Sequence, residues 1–384
     1  MGPPPGANIG KRKLRGGNVA GRVLHLAAGN LYGGVESFLV TLARSPRRLE
    51  HRFALFFEGR LAAELRAAGA SVEVLGPARL GRPWTLVGPQ LRLRRLLASW
   101  RPDLVLSHSS WLKAVATPAL LGHRQALFLH GPVEPRFALD RLLAWVPPDA
   151  LLSNSHFTAA SASTLLPRLT PLVTGCPVED RAPREPGVRH AVRQELGVAE
   201  GTTIIIQVSR LEAWKGQELL LEALTRLPRD ADWACWVVGG AQRPEEQALL
   251  ARLRTRADTH GLAHRVRFLG QRSDVPRLLA AADLFCQPNL GPEPFGIVFV
   301  EAMFAGLPVL TTDMGGAREL VDETCGARVP PHADAVAEVL ARWLVEPESR
   351  RVLGHAGRQR AEALYLPSVR VPLLEDALER AMRP

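Results

Sequence analysis

Short apolar runs alternate with amphipathic stretches of helical length along nearly the whole chain. A first set of strand-like runs falls at Arg22–Ala27, Phe53–Phe57, Val72–Leu75, Leu104–Ser107, Ala126–Leu129, Leu151–Ser153 and Leu172–Thr174. Helical patterns lie between them at Val35–Ala43, Leu91–Trp100 and His156–Leu165. A second set falls at Thr203–Val208, Ala234–Val238, Val266–Leu269, Leu284–Gln287 and Pro308–Thr311, with helices at Gln217–Leu227, Glu245–Thr259 and Ser273–Ala281. Strand–helix alternation of this kind predicts parallel sheets covered by helices on both faces. The expected fold class is α/β, with two doubly wound Rossmann-like domains facing each other across a ligand cleft at the carboxyl ends of their strands.

Residues 1–19, Gly/Pro-rich and then basic, predict a disordered lead-in, and residues 20–180 a first domain. Cys176–Gly187, rich in Pro and charge, reads as an exposed connection and sets the domain boundary. Residues 188–366 then form a second domain. The stretch Asp334–Met382 is helical in pattern with breaks near Pro347 and Pro367, and residues 367–384 predict a helix returning to the first domain.

Composition narrows the function. Hydrophobic content of 46% supports a full core, and Gly (33) with Pro (31) in 384 residues stays well below the disordered range of roughly 25–30%. The net charge of +10 favours anionic partners such as nucleotide phosphates or acidic lipid. Only four lysines occur, Lys11, Lys13, Lys113 and Lys215, against 48 basic residues in all. An aromatic content of 6% argues against a single-strand nucleic-acid platform. No apolar run approaches the roughly 18–20 residues that cross a bilayer, and Met1–Val19 has no secretory apolar core. Cys176, Cys235, Cys286 and Cys325 are widely spaced, which suits neither a disulfide framework nor a zinc site. A cytoplasmic protein is expected, with contact at the inner membrane face an option. The basic helix Leu91–Leu97, carrying Arg92, Arg94 and Arg95, is either a solvated face or a lipid-touching one.

Three segments carry candidate chemistry. Gly33 and Gly34 follow the first strand and open a helix, where paired glycines let backbone N–H groups approach an anion or simply make a tight turn. The spacing is not that of the dinucleotide fingerprint. After Thr203–Val208 come Arg210, a planar fork for two phosphate oxygens, and Lys215, a mobile point charge; a rim salt bridge to Glu212 or Glu218 is the alternative. The third segment runs from Glu293 to Met303. Pro292, Pro294 and Gly296 exclude a helix across its first part, so Glu293 belongs to a loop and Glu301 to the helix after it. Gly296, Ile297 and Val298 then present first-turn N–H groups to a diphosphate. A carboxylate there would oppose phosphate, so Glu293 and Glu301 are expected to accept hydroxyl protons from a sugar or ribose, with dipole compensation the alternative for Glu301.

The order of Gly33-Gly34, Ser209-Arg210-Leu211 with Lys215-Gly216, the Glu293 and Glu301 pair, and Thr312-Asp313-Met314-Gly315-Gly316 with Glu319 resembles glycosyltransferase family 4 from about Arg22 to the final helices. The resemblance implies the GT-B fold and a retaining, hexosyltransferase-type transfer from a nucleotide-diphosphate sugar. That sugar nucleotide is the co-substrate, and no cofactor or metal is implied. By similarity Arg210 and Lys215 hold the leaving diphosphate with the backbone of Gly296, Ile297 and Val298, Glu293 holds donor-sugar hydroxyls and Glu301 those of ribose. His130, ending a first-domain strand, matches the family's active-site histidine, with Glu293 as the other catalytic candidate. His108, also ending a strand, is expected to be structural, with a place facing the acceptor as the alternative, and the Asp230-Ala231-Asp232 triplet a solvated turn. A saccharide, lipid-linked or small-molecule acceptor is expected, and no nucleic acid. The alternatives are a GT-B epimerase of nucleotide sugars, which needs no acceptor, glycoside hydrolysis by the two glutamates, and a basic nucleic-acid-binding protein.

Overall fold

The structure, a computed structural model, describes residues 21–383; the lead-in over 1–19 lies outside the described residues. Two wholly parallel sheets carry the chain. The first holds β1 (Arg22–Ala27), β2 (Glu50–Leu55), β3 (Ser71–Val74), β4 (Leu104–Ser107), β5 (Gln125–Leu129), β6 (Ala150–Ser153) and β7 (Leu172–Val173) in the order β3-β2-β1-β4-β5-β6-β7. The second holds β8 (Thr203–Val208), β9 (Trp233–Val238), β10 (Val266–Gly270), β11 (Leu284–Gln287), β12 (Val309–Thr312) and β13 (Gly326–Val329) in the order β10-β9-β8-β11-β12-β13. Strand order reverses beside β1 in one sheet and beside β8 in the other. Those are the switch points at which doubly wound sheets open a crevice.

The sheets are covered on both faces. Ile204, Ile205 and Ile206 are successive residues of β8 and all are fully buried, which requires helices on either side. Several expected bounds move by one to three residues: the expected Phe53–Phe57 is β2 at Glu50–Leu55, because the polar start of that strand gives no apolar signal. β13 was not expected at all. Its sequence Gly-Ala-Arg-Val offers no apolar run, and pairing with β12 alone makes it a strand.

Long-range ion pairs fix the layers. Arg193, fully buried on the helix Val188–Glu195, donates to Asp283 at 2.6 Å and to the carbonyls of Ala199, Glu200, Thr202 and Ala281. The last helix, Pro367–Met382, starts at the Pro367 break and runs against the first sheet. There Glu375 accepts from the backbone N–H groups of Arg48 (2.8 Å) and Leu49 (2.9 Å).

Candidate active site

The site is built from loops at the carboxyl ends of the strands. After β1 the chain passes Gly33 and enters the helix Gly34–Arg44. Gly33 N–H donates to Glu36 Oε2 at 2.9 Å, so this amide is already committed to the chain's own carboxylate. His108 follows β4 and His130 follows β5, while Asn154 and Ser155 follow β6. Burial holds the His130 imidazole neutral, with its pKa pushed down to about 3.

On the facing side β8 ends at Val208 and delivers Ser209 and Arg210. A single helical turn over Ala213–Lys215 then aims Lys215. Gly216 closes this turn at φ +74°, and a Cβ there would lie 1.8 Å from the Pro288 carbonyl oxygen. Only glycine lets the turn sit against β11's exit loop. Lys215 Nζ reaches Glu293 Oε2 at 2.7 Å and stands 3.9 Å from the Trp214 ring centroid. Asn289 (3.1 Å) and Gln287 (3.3 Å) donate to the same oxygen. Three donors on Oε2 fix the carboxylate and leave Oε1 without a protein partner among the described residues. Arg210 Nη1 meets Glu212 at 2.9 Å while staying partly open.

The Glu293 loop is held by the Gly315-Gly316 pair. Gly316 N–H donates to the Glu293 carbonyl at 2.7 Å, and a Cβ on Gly316 would lie 2.3 Å from the Pro294 carbonyl oxygen. Gly296, at φ +98°, turns the chain into the helix Ile297–Phe304. Phe299 N–H bonds back to the Gly296 carbonyl, so the amides of Ile297 and Val298 precede the ladder and face outward. Glu301 lies one turn further in. Its carboxylate accepts no hydrogen bond from the described residues, and burial raises its pKa from 4.5 to about 7, with Arg181 pulling the other way.

One cleft of about 430 Å³ brings together His130, Gly33, Gly34, Arg210, Lys215, Glu293, Gly296, Ile297, Val298 and Glu301, from both halves of the chain. Its walls are close. A Cβ on Gly33 would stand 3.8 Å from Arg210 Nε, and one on Gly34 3.6 Å from Ile297 Cδ1. Ser155 Oγ donates to the Pro294 carbonyl at 2.6 Å. Glu319 accepts from His156 N–H (3.0 Å) and Phe157 N–H (2.9 Å), capping a first-domain helix from the second domain. The cleft also includes Trp214, Gln287, Asn154 and Arg181, none anticipated from sequence. Gln287, a polar residue closing the apolar run Leu284–Cys286, carried a usable signal, as did Asn289 just beyond; Arg181 in the connecting segment carried none. His108 is buried beside His130 and does not line the cleft.

Comparison with known proteins covers both halves. The family described as Glycosyltransferase Family 4 matches residues 32–172, and that described as Glycosyl transferases group 1 matches residues 188–360. The chain is 34% identical over 206 residues to a GDP-mannose-dependent monoacylated alpha-(1-6)-phosphatidylinositol monomannoside mannosyltransferase of Corynebacterium glutamicum, covering 51% of this chain and 52% of that protein. It is 33% identical over 189 residues to the lipopolysaccharide glucosyltransferase WaaG of Escherichia coli, covering 48% of each. The matched stretch thus spans about half the length of these curated relatives. Among solved structures, HepE of Anabaena in complex with UDP-glucose superposes with a TM-score of 0.83 at 26% identity, over 94% of this chain and 98% of that one.

Proposed function

The chain belongs to glycosyltransferase family 4 and has the GT-B fold, and on that premise we propose that it moves a hexose from a nucleotide-diphosphate donor to a hydroxyl of a saccharide, lipid-linked or small-molecule acceptor, keeping the anomeric configuration. The observation that carries this is the Lys215–Glu293 pair facing the start of the helix Ile297–Phe304 across from His130. A bare carboxylate beside a diphosphate would repel it. Lys215 offsets that charge at 2.7 Å and leaves Arg210, with the amides of Ile297 and Val298, to take the phosphate oxygens.

In the proposed reaction the bond from the anomeric carbon to the diphosphate oxygen breaks as the acceptor oxygen bonds the same face of the sugar. The acceptor's proton passes to the leaving phosphate oxygen. Negative charge grows on the diphosphate, and fixed donors in a cleft sheltered from water stabilise it most. Glu293 Oε1, the free oxygen of a carboxylate fixed by three donors, would hold donor-sugar hydroxyls, and Glu301 those of ribose. Arginine, lysine and helix amides supply the positive field, so no divalent ion is required on this account. UDP-glucose in the HepE complex and GDP-mannose in the corynebacterial relative's name support a nucleotide-sugar donor without choosing between them.

The test replaces Glu293→Gln and Lys215→Ala and follows transfer from UDP-glucose and GDP-mannose, with and without EDTA. Turnover falling at least about 100-fold, as when one charge-stabilising group is removed, with unfolding temperature retained and EDTA without effect, supports the assignment. Unchanged turnover in either variant refutes that residue's role. Peripheral contact with an anionic bilayer is proposed for the segment Arg79–Arg95, in which Trp84 is 71% exposed and Arg79, Arg82, Arg94 and Arg95 are exposed too. Sedimentation with phosphatidylglycerol vesicles should fall on Trp84→Ser, and an unaltered bound fraction rejects it.

A further inference from the structure

Four of the chain's eleven histidines stand in one file across the first sheet. His130 follows β5, His108 follows β4, His25 lies in β1 and His51 in β2, which are successive neighbours in the sheet. His130 Nε2 and His108 Nδ1 are 2.8 Å apart, His108 Nε2 and His25 Nδ1 2.9 Å, and His25 Nε2 and His51 Nδ1 2.7 Å. Each ring centroid lies 5.0–5.2 Å from the next. One end of the file opens into the cleft at His130. The other ends at Glu375 on the C-terminal helix, whose Oε1 stands 3.5 Å from His51 Nε2; that nitrogen has no other polar partner among the described residues.

The file is enclosed by aromatic rings and neutral. Phe53 stacks on His25, and Phe38 and Phe128 cover His108 and His130. Burial depresses the pKa of all four rings, and the nearby Arg47 cation adds to this at His25 and His51. A neutral imidazole carries one N–H and one bare nitrogen. Each of the three N···N contacts needs one hydrogen. The four rings must therefore share one sense: all protonated on Nε2, or all on Nδ1. A mixed file leaves some contact with two hydrogens or none.

Glu375 decides the sense. Burial alone would raise its pKa, but the facing His51 and hydrogen bonds from the Leu49 and Arg48 backbones (2.9 and 2.8 Å) and the Arg48 side chain (3.2 Å) outweigh burial and lower it. A carboxylate at 3.5 Å favours the Nε2–H of His51 facing it and repels a bare nitrogen. Nε2–H on His51 then imposes Nε2–H on His25, His108 and His130 in turn. His130 is left with a bare Nδ1, the ring nitrogen with no protein partner among the described residues.

We propose that Glu375, on the C-terminal helix, fixes the tautomer of His130 through His51, His25 and His108, so that His130 meets the cleft as a hydrogen-bond acceptor for a ligand hydroxyl and not as a donor to phosphate. Glu375 is thus a positioning residue acting across four strands. The tautomer assignment needs no ligand; only its kinetic consequence rests on the proposed glycosyl transfer.

The test is long-range proton–nitrogen correlation on protein carrying nitrogen-15 in its histidines, at pH 8, with signals assigned by single histidine replacement. In the unaltered protein His25, His51, His108 and His130 should each show a protonated Nε2 and a bare Nδ1. Glu375→Gln keeps the shape and removes the charge, and should bring the Nδ1–H form of His130 into view. In a His25→Phe background, which cuts the file, Glu375→Gln should leave His130 as it was. Kinetically, loss of one neutral hydrogen bond predicts a donor KM raised about 2- to 10-fold by Glu375→Gln with kcat little changed. A protonated Nδ1 on His130 in the unaltered protein overturns the proposal without any variant, as does a His130 tautomer indifferent to Glu375→Gln. If the tautomers fall as expected and no nucleotide sugar binds, this inference stands and the functional assignment fails.

Discussion

Glu301→Gln probes how the cleft trades stability for binding. Burial raises the carboxyl from 4.5 to about 7. Between those values the unfolded chain has released the proton and the folded chain still holds it. The folded state binds more protons, so stability falls as pH rises through this window and stays lower above it. That rise, at about 1.36 kcal/mol for each tenfold change in proton affinity, corresponds to about 3 kcal/mol, and water reaching the partly open side chain reduces this to about half. Glutamine has the same shape and nothing to ionise. At pH 4.5 and below the two proteins should melt within about a degree of each other. At pH 8 the variant should be more stable by about 1.5 kcal/mol, or about 3–6 °C for a cooperative unit of this domain's size. Thermal unfolding at both pH values measures it. On the proposed role, UDP or GDP should raise the melting temperature of the unaltered protein more at pH 8 than at pH 6, since the ionised carboxylate is the better acceptor for ribose hydroxyls, and the variant should lose that pH dependence. A melting difference between the two proteins that is the same at pH 4.5 and pH 8 would refute a buried, elevated Glu301.

Two further replacements test the frame beneath the site. Gly216→Ala places a Cβ on the Pro288 carbonyl at a left-handed φ, so the Lys215 turn must move; transfer should fall at least tenfold with a smaller loss of stability, and wild-type kinetics would show that the close approach is not required. Arg193→Met leaves Asp283, facing the buried end of β8, without the buried one of its two cations, while Arg189 still reaches it at 2.6 Å. Chemical denaturation should show a loss of about 3–5 kcal/mol, and a loss under 1 kcal/mol would mean that Arg189 alone satisfies the carboxylate.

The sequence by itself determined the two parallel sheets, the placing of a cleft at their carboxyl edges, and the glycine, cationic and acidic positions on its wall. Apolar runs such as Ile204–Ile206 report burial on both faces wherever they end up, and Pro292, Pro294 and Gly296 force a loop before the helix whatever it packs against. The cationic and glycine positions were legible for the same reason: strand-to-helix turns place their residues at the carboxyl edge of a sheet. The pairings across distance were not. Lys215 and Glu293 are 78 residues apart, and the sequence suggested separate tasks for them; only the fold shows them joined at 2.7 Å. Glu319 is 163 residues from the His156 amide it caps, and His25, His51, His108 and His130 read as unrelated single histidines until four strands lie side by side. Local periodicity records which way a residue faces. Which partner it faces is set by strand order, by domain closure and by where the last helix returns, and those are properties of the whole chain.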